Sequence, residues 1–307
     1  MTFLGALIPV MFMVSLGQFL AWRQIPPREG WRSIERLCYM ALVPALIILV
    51  LSRAPLQDAP WKIALTLVVS QIILAAIGLT SQLWPGIDRP SVGSIVQSNS
   101  RWNTFIALTI SGVLYGDNGL AITAICAAIM IPMANILSIL ALSHFGHNET
   151  GIKRNPFAEL IRNPLVIACI IGAFLNFANL KPTGLFETIL TLVSDPAMAL
   201  GLLAAGAGVN FLALKRAGLL TVFWSIVRLI GMPIIAGLIG RYLMGIEGEA
   251  LAIMLIATAT PTATNGYILA RQLGGNADLM ANLIASQTLL SALTIPFSLW
   301  IFGLLPA

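Results

Sequence analysis

Residues 94–104 read Ser-Ile-Val-Gln-Ser-Asn-Ser-Arg-Trp-Asn-Thr, a polar segment inside an otherwise apolar stretch. Residues 258–266 read Thr-Ala-Thr-Pro-Thr-Ala-Thr-Asn-Gly inside a second apolar stretch. Polar groups are costly in hydrocarbon, so such segments persist in a membrane where they line a cavity or bind one another. Pro261 lacks a backbone donor and Gly266 is a poor helix former. The second segment therefore predicts an interrupted helix beside a polar cavity, and the first predicts a matching polar helix.

The composition is that of a protein surrounded by lipid. Of 307 residues, 58% are hydrophobic and 9% are charged, whereas a soluble domain carries about 25% charged residues. A helix needs about 20 mostly apolar residues to cross the hydrocarbon core. Ten such stretches lie near residues 3–22, 34–52, 61–83, 92–115, 119–143, 158–178, 184–209, 217–240, 249–271 and 278–303. The sequence predicts an all-α integral membrane protein with ten transmembrane helices, called here spans 1 to 10.

The two halves of the chain resemble each other. Spans 1 and 6 each carry a proline eight residues before a glycine, and spans 2 and 7 each carry a glutamate nine residues before a proline. The matched residues are Pro9, Gly17, Pro164, Gly172, Glu35, Pro44, Glu187 and Pro196. The halves are residues 1–148 and 149–307, and because each has five spans they enter the membrane in opposite senses. This predicts two inverted five-helix repeats, an arrangement found in many secondary transporters.

The distribution of basic residues predicts the orientation. The gaps after spans 1, 3, 5, 7 and 9 carry Arg23, Arg28, Arg32, Arg36, Arg89, Lys153, Arg154, Arg162, Lys215, Arg216 and Arg271. The opposite side carries Arg53, Lys62, Lys181 and Arg241. Because basic residues accumulate on the cytoplasmic side, both termini are expected on the outer side. In a bacterium this means the inner membrane, with periplasmic termini.

Two ionisable residues, Asp195 and Arg228, lie well inside the spans, where an unpaired charge is costly. Asp195 in span 7 and Arg228 in span 8 could form a structural ion pair between neighbouring helices. They could equally support a proton or cation site in a transport cycle. Arg101, among the polar residues of span 4, could attract a carboxylate or extend to the membrane interface. The residues alone leave these readings open.

Several other classes of protein do not fit. The basic residues are spread over short gaps instead of forming the patch expected of a nucleic-acid binder. The three cysteines each lie in an apolar stretch, which argues against a disulfide framework and a metal cluster. The sequence contains neither a Walker A loop nor HExxH or GxSxG. No catalytic residues, metal ligands or cofactor are therefore expected.

Short motifs spread over nearly the whole chain resemble the auxin efflux carrier family, which includes plant auxin exporters and bacterial carriers associated with malate or malonate. The motifs are Leu160-Ile161-Arg162-Asn163-Pro164, Ser194-Asp195, Val227-Arg228 with Pro233, Pro261, Ala270-Arg271, Asp278 and Ile295-Pro296. The resemblance implies a ten-helix fold similar to bile-acid/sodium symporters and sodium/proton antiporters. In that fold, discontinuous helices 4 and 9 cross, and substrate binds beside the crossing.

The resemblance also implies which residues form the site. Asn103-Thr104 is similar to the family's Pro-Asn-Thr, whose asparagine lies at the substrate site, and residues 261–264 align with the second crossing segment. The chain departs from the plant pattern because Trp102 replaces a proline, Thr109 lies near a second usual proline, and Gly266 replaces a later one. The interruption in span 4 would therefore depend on its Asn and Ser residues.

These observations predict a secondary active transporter of small organic anions, such as mono- or dicarboxylates, working by alternating access, in efflux or linked to protons. The expected substrate-binding residues are Asn103, Thr104, Arg101, Pro261, Thr262, Thr264 and Asn265, with Asp195 and Arg228 as a supporting proton or ion site. The hydroxyl and amide groups would bind a carboxylate, and the helix ends would supply positive potential. The expected partners are a small organic anion and the lipid bilayer.

Two alternatives stay open. One is a sodium-coupled symporter of a larger amphipathic acid, and the other is a membrane sensor or scaffold that transports nothing. The second leaves the polar residues of spans 4 and 9 without a role. The transported anion, the direction of flux, coupling to H+ or Na+, and homodimer formation are also left open.

Overall fold

The computed structural model describes residues 3–54, 60–147, 163–209 and 218–305. All regular secondary structure within these ranges is helical. The α-helices are α1 (Phe3–Trp22), α2 (Arg28–Leu37), α3 (Val43–Leu51), α4 (Pro60–Leu79), α5 (Arg89–Ser100), α6 (Thr104–Phe145), α7 (Pro164–Phe177), α8 (Gly184–Ser194), α9 (Ala197–Ala207), α10 (Leu219–Ile226), α11 (Met232–Leu238), α12 (Gly248–Ala259), α13 (Gly266–Gln272) and α14 (Ala277–Ile301).

Six helical stretches of the described chain are long and apolar enough to cross a membrane. They are Glu29–Leu51, Pro60–Leu83, Arg89–Phe145, Gly184–Ala207, Leu219–Leu243 and Ala277–Ile301, and shorter apolar helices cover Leu7–Trp22, Pro164–Phe177 and Gly248–Ala259. Over the residues that the structure describes, the helices agree with the predicted all-α integral membrane protein. The predicted boundary between residues 148 and 149 lies outside the described residues. So do Lys153, Arg154, Leu160, Ile161, Arg162, Lys215 and Arg216.

Prolines reshape the helices at several of the predicted positions. A π-helical turn, Cys38–Leu42, precedes Pro44, and another, Val227–Gly231, precedes Pro233. A proline ring clashes with the carbonyl four residues earlier, and widening the preceding turn relieves that clash. Pro196, the counterpart of Pro44 in the second half, separates α8 from α9. Both halves therefore deform their second span at the matched proline.

Spans 4 and 9 are both interrupted, as the two polar segments indicate. Residues 101–103 between α5 and α6 are not helical, and residues 260–265 separate α12 from α13. The long helix α6 has its own kink at Gly116, whose φ of 57° and ψ of −141° lie outside the helical region. Glycine adopts this conformation without steric cost. The kink falls between the apolar stretches predicted as spans 4 and 5.

The helices pack in two groups. The first helix group contains α1, α2, α3, α7, α8 and α9, in which α1 packs on α9 and α3 packs on α7 and α8. The second helix group contains α4, α5, α6 and α10 to α14, centred on contacts of α6 with α5, α4 and α12. Helix α6 also contacts α1, α3, α7 and α9, and so joins the two groups.

Glycines allow the closest approach inside the first helix group. A Cβ atom on Gly17 of α1 would collide with the carbonyl of Leu203, and one on Gly206 of α9 would collide with the carbonyl of Val14. Backbone-to-backbone contact of this kind is available only to residues without a side chain, and it is a common way to pack helices in membranes. The two glycines therefore set the spacing of α1 and α9.

Candidate functional site

The interruption in span 4 forms without a proline because two side chains satisfy its backbone. The Asn103 side-chain oxygen accepts hydrogen bonds from the backbone N–H groups of Phe105 (3.1 Å) and Ile106 (3.2 Å). Asparagine is among the best residues at this capping position, so Asn103 starts α6. The carbonyl of Arg101 accepts from Arg228 Nε (3.1 Å) and Nη2 (2.9 Å). Trp102, in the place of the family's proline, is buried.

Arg228 holds both interrupted helices at once. Its Nη1 donates to the carbonyl of Thr258 at 2.7 Å, near the end of α12, while its other donors bind Arg101 of the span 4 segment. The side chain is fully buried. Carbonyls released by helix interruptions carry partial negative charge and can satisfy a buried guanidinium group. Arg228 therefore bridges the two interruptions.

The expected pairing of Asp195 with Arg228 is not formed. Asp195 is exposed and lies between α8 and Pro196, whereas Arg228 is buried and donates to carbonyls. In the described part of the chain, the side-chain ion pair joins Arg53 to Glu187 at 2.6 Å. The physical reason is that the helix interruptions supply acceptors for Arg228, so it needs no carboxylate. The ion-pair reading of Asp195 and Arg228 is therefore wrong, and their role as a supporting proton or ion site stays a prediction.

The two interrupted segments are bound to each other. The Thr262 hydroxyl donates to the carbonyl of Ser98 at 2.7 Å, and the Thr262 N–H donates to Gln287 Oε1 at 2.9 Å. The Thr260 hydroxyl accepts from the N–H of Asn103 at 3.3 Å. Thr260, Pro261 and Thr262 are all buried in this contact. Thr262 and Pro261, both expected to bind substrate, therefore lie where they fix the two segments together.

A cavity of about 330 Å³ opens beside this contact, between the two helix groups. Of the residues expected to bind substrate, Arg101, Asn103, Thr104, Thr264 and Asn265 line it. The first helix group contributes Arg32, Glu35, Arg36, Tyr39, Val43 and Leu165. The structure thus brings most of the expected residues together and adds a charged wall from α2.

Arg101 belongs to the cavity wall. Its Nη1 donates to Asn265 Oδ1 and its Nη2 to Asn135 Oδ1, both at 3.0 Å, and its side chain is buried. The bond to Asn265 links the two interrupted segments through side chains that face the cavity. A guanidinium group held in this way gives the cavity a fixed positive charge. Of the two readings of Arg101, the position in the cavity favours the first.

Glu35 connects the two helix groups across the cavity. Its Oε1 accepts a hydrogen bond from the Thr264 hydroxyl at 2.8 Å. Arg32 and Arg36, on the same helix α2, are exposed and flank it. Sequence reasoning used Glu35 only as a marker of the repeat. Residues 32, 35, 36 and 39 follow helical spacing, so they share one face of α2 and of the π-helical turn after it, and this spacing is the signal that could have revealed the charged wall.

Small residues of α9 lie against both interruptions. A Cβ atom on Gly201 would overlap the ring of Phe105, which follows the first interruption, and one on Gly208 would overlap Thr264 in the second. These contacts join the first helix group to the second without interlocking side chains. The described residues contain no group of three or more His, Cys, Asp or Glu side chains that could hold a metal ion.

Apolar helices with two interruptions beside a polar cavity are an arrangement found in many membrane transport proteins. Residues 2–299 match a family model described as membrane transport protein. The chain belongs to this family, which is the auxin efflux carrier family that its motifs resemble.

Relatives of similar length carry transporter names. The chain is 26% identical to an uncharacterized transporter of Methanothermobacter thermautotrophicus, over 98% of this chain and 99% of that protein. It is 22% identical to the uncharacterized transporter YfdV of Escherichia coli K12, over 98% and 97% of the two chains. It is 24% identical to a protein of Rhizobium meliloti named "Putative malonate transporter", over 99% and 97%.

Proposed function

We propose that the chain is a secondary active transporter of small organic anions, such as mono- or dicarboxylates, that works by alternating access. The observation that carries the proposal is the lining of the cavity. It combines the guanidinium groups of Arg32, Arg36 and Arg101 with the hydroxyl and amide groups of Thr104, Thr264 and Asn265. These are the donors that bind carboxylates, and the guanidinium groups are the strongest of them.

The first turn of α6 supports anion binding at the same place. Asn103, Thr104 and Phe105, at the N-terminal end of α6, all line the cavity. A helix carries partial positive charge at this end, which favours anions even though Asn103 accepts from the N–H groups of Phe105 and Ile106. The cavity of about 330 Å³ lies at the small end of the range of ligand sites, about 300–1,000 Å³. The cavity volume favours a small solute, and the positive helix end favours an anion. The name of the Rhizobium relative favours a short dicarboxylate.

The proposed architecture has ten transmembrane helices in two inverted five-helix repeats, residues 1–148 and 149–307. Its support is that matched elements of the two halves share surroundings. Helices α1 to α3 and α7 to α9, which correspond to spans 1, 2, 6 and 7, form the first helix group. The interrupted spans 4 and 9 lie together in the second. Movement of one group against the other would then expose the cavity to each side in turn.

The proposed orientation places both termini on the outer side of the bacterial inner membrane. Arg32 and Arg36 belong to the basic residues expected on the cytoplasmic side, and both line the cavity. The cavity in this structure would therefore open toward the cytoplasm. The proposal includes coupling of transport to H+ or to Na+. A flux that responds to neither gradient would contradict this coupling.

Transport by the purified chain in proteoliposomes tests the function. We expect flux of at least one of radiolabelled malonate, succinate and acetate. Replacing Asn103 and Thr264 together by alanine should lower flux by about tenfold to a hundredfold, because each change removes a donor to a charged group. The matched control is Asn118→Ala with Thr188→Ala, an asparagine and a threonine outside the cavity.

Two results would contradict the proposal. If the wild-type chain carries none of the three anions with or without ion gradients, the transport function in this form is lost. If the cavity double variant transports as well as the control variant, the anion binds elsewhere. Measured folding of each variant in detergent separates loss of binding from loss of protein.

A further inference from the structure

The Glu35 carboxylate lies beside Thr264, the position that the proposed function assigns to the carboxylate of the substrate. The Thr264 hydroxyl, an expected substrate donor, is bound to Glu35 Oε1 at 2.8 Å. Glu35 lies on α2 in the first helix group, whereas Thr264 lies in the span 9 interruption of the second group. The bond spans 229 positions of sequence. It is therefore a contact between the two moving parts of the proposed cycle.

The surroundings of Glu35 are positive. Arg32 and Arg36 share its helix, and Arg101 faces the same cavity from the span 4 interruption. Tyr39 is the remaining titratable group among the described lining residues. The other described lining residues are uncharged: Val43, Trp102, Asn103, Thr104, Phe105, Ile131, Ala134, Asn135, Leu165, Ala263, Thr264, Asn265 and Ile268. Helix α9, which packs on α2, consists of Ala, Met, Gly and Leu.

Arg101 is buried and Arg32 and Arg36 line the same cavity, so without an anion three guanidinium groups repel one another, most strongly at the buried Arg101. A carrier that returns empty has to pass through this condition. A carrier that only exchanges one anion for another never does. Glu35 supplies the missing negative charge without leaving the protein.

We propose that Glu35 acts as an internal substitute for the substrate anion, binding Thr264 when the cavity is empty and giving way when a carboxylate arrives. The inference rests on the proposed function and adds a role within its cycle. The released Glu35 carboxylate can pair with Arg32, which lies three residues earlier on the same face of α2. In the empty carrier Glu35 provides the negative charge and its bond to Thr264 breaks as the two helix groups move, so the carrier can reorient without substrate and the protein sustains net transport as well as exchange.

A merely structural role for the Glu35–Thr264 bond makes a different prediction. Glu35→Gln keeps the size of the side chain and an acceptor oxygen for Thr264, but removes the charge. If the bond only ties the two helix groups together, this variant should keep net transport and exchange in their wild-type proportion. If the charge replaces the substrate anion, net transport should suffer selectively.

The test measures two fluxes of radiolabelled malonate, succinate and acetate in proteoliposomes. One is net uptake into vesicles without internal substrate, and the other is uptake into vesicles loaded with the same unlabelled anion. For E35Q we expect the ratio of net uptake to exchange to fall about tenfold, within the usual range of coupling between sites. The matched control is Glu29→Gln, which removes an exposed carboxylate from the same helix and should leave the ratio unchanged.

Glu35→Asp provides a second test that does not depend on how well E35Q folds. It keeps the charge and shortens the side chain by one methylene group, so its ratio should stay within about threefold of the wild type. An unchanged ratio in E35Q, or an equal fall in E35D and E35Q, would overturn the proposal. Absence of both fluxes in the wild type would instead overturn the proposed function itself.

Discussion

The two helix interruptions meet in the same place but are built differently. The span 4 segment has three residues, 101–103, and all of them are buried. The span 9 segment has six residues, 260–265, of which the first three are buried and the last three are partly exposed. Side chains from elsewhere hold the short segment, since Arg228 binds its Arg101 carbonyl. The long segment ends in Thr264 and Asn265, which face the cavity.

This difference indicates that the two matched interruptions have different roles. The span 4 segment is fixed at its start by Arg228 and at its end by the Asn103 cap, so its backbone has little freedom to move. The last part of the span 9 segment is held through side chains, by Glu35 at Thr264 and by Arg101 at Asn265. These contacts can be exchanged for contacts with an anion. The backbone of the first interruption is therefore the frame, to which the Arg101 side chain adds a fixed positive charge, and the second interruption presents the exchangeable hydroxyl and amide ligands.

The largest expected effect comes from removing the residue that fixes the frame. Arg228→Met leaves the carbonyls of Arg101 and Thr258 without donors in a buried place. Leaving a buried acceptor unsatisfied typically costs about 1–3 kcal/mol, so two such carbonyls cost about 2–6 kcal/mol. For a chain of this size we expect the midpoint of thermal unfolding in detergent to fall by about 10 °C. The measurement is the fraction of protein that still elutes as a folded peak in size-exclusion chromatography after heating to each temperature.

Arg241→Met is the matched control for Arg228. Arg241 follows α11 on the same candidate span, is exposed, and donates to one carbonyl, that of Phe302, at 2.8 Å. Because water can replace that donor, its loss should shift the midpoint by only about 2 °C. Equal shifts in the two variants would show that Arg228 is not what holds the interruptions together.

An intermediate effect should distinguish Asn103 from Asn265, two of the three asparagines that line the cavity. Asn103→Ala removes the cap of α6, which typically costs about 1 kcal/mol, and should lower both stability and transport. Asn265 makes no cap bond, and its side-chain bond from Arg101 lies beside the cavity where water can replace it, so Asn265→Ala should lower transport of malonate, succinate or acetate with a smaller loss of stability. Thermal unfolding and proteoliposome flux, measured on the same preparations, give the two quantities.

Asn163→Ala controls for the loss of a cap as such. Asn163 caps α7 through bonds to the N–H groups of Leu165 and Val166, in the same way as Asn103 caps α6. It should therefore reproduce the loss of stability seen with Asn103→Ala while keeping more of the transport. If Asn265→Ala destabilises the protein as much as Asn103→Ala does, the distinction between a frame and a ligand segment does not hold.

The parts of the fold that follow from local rules could be predicted from the sequence. Hydropathy and length give the apolar helices, Pro261 and the adjacent threonines indicate the span 9 interruption, and Gly116 marks the kink of α6. The span 4 interruption was predictable from its polar residues, although its mechanism was not. Without the family's proline, it depends on the Asn103 cap and on Arg228, which is 127 positions away from Arg101.

The candidate site was harder to predict, because its decisive contacts join distant parts of the chain. Placing Asp195 and Arg228 inside spans suggested that they pair, but hydropathy does not say which face of a helix a residue occupies. Asp195 is exposed, and Arg228 uses carbonyls that exist only because the helices are interrupted. Glu35 meets Thr264 because α2 lies across the cavity, and no local pattern in the sequence encodes that contact.

The smallest expected effect tests whether the frame also supplies a ligand donor. Trp102 is buried in the span 4 segment and lines the cavity, and its indole N–H has no hydrogen-bond partner among the described residues. Trp102→Phe removes this donor and keeps most of the apolar ring. If the N–H binds the substrate carboxylate, the KM for a transported anion should rise about tenfold, the lower end of the effect of one hydrogen bond to a charged group. Trp224→Phe is the control, because Trp224 is also buried with an unpartnered N–H but packs against Ile95 and Leu283 outside the cavity. Both variants lose an indole N–H group. A KM that rises only in Trp102→Phe would therefore assign a substrate-binding donor to the first interruption, which would then differ less from the second in function. An equal KM in both would leave ligand binding to the Thr264 end of the site.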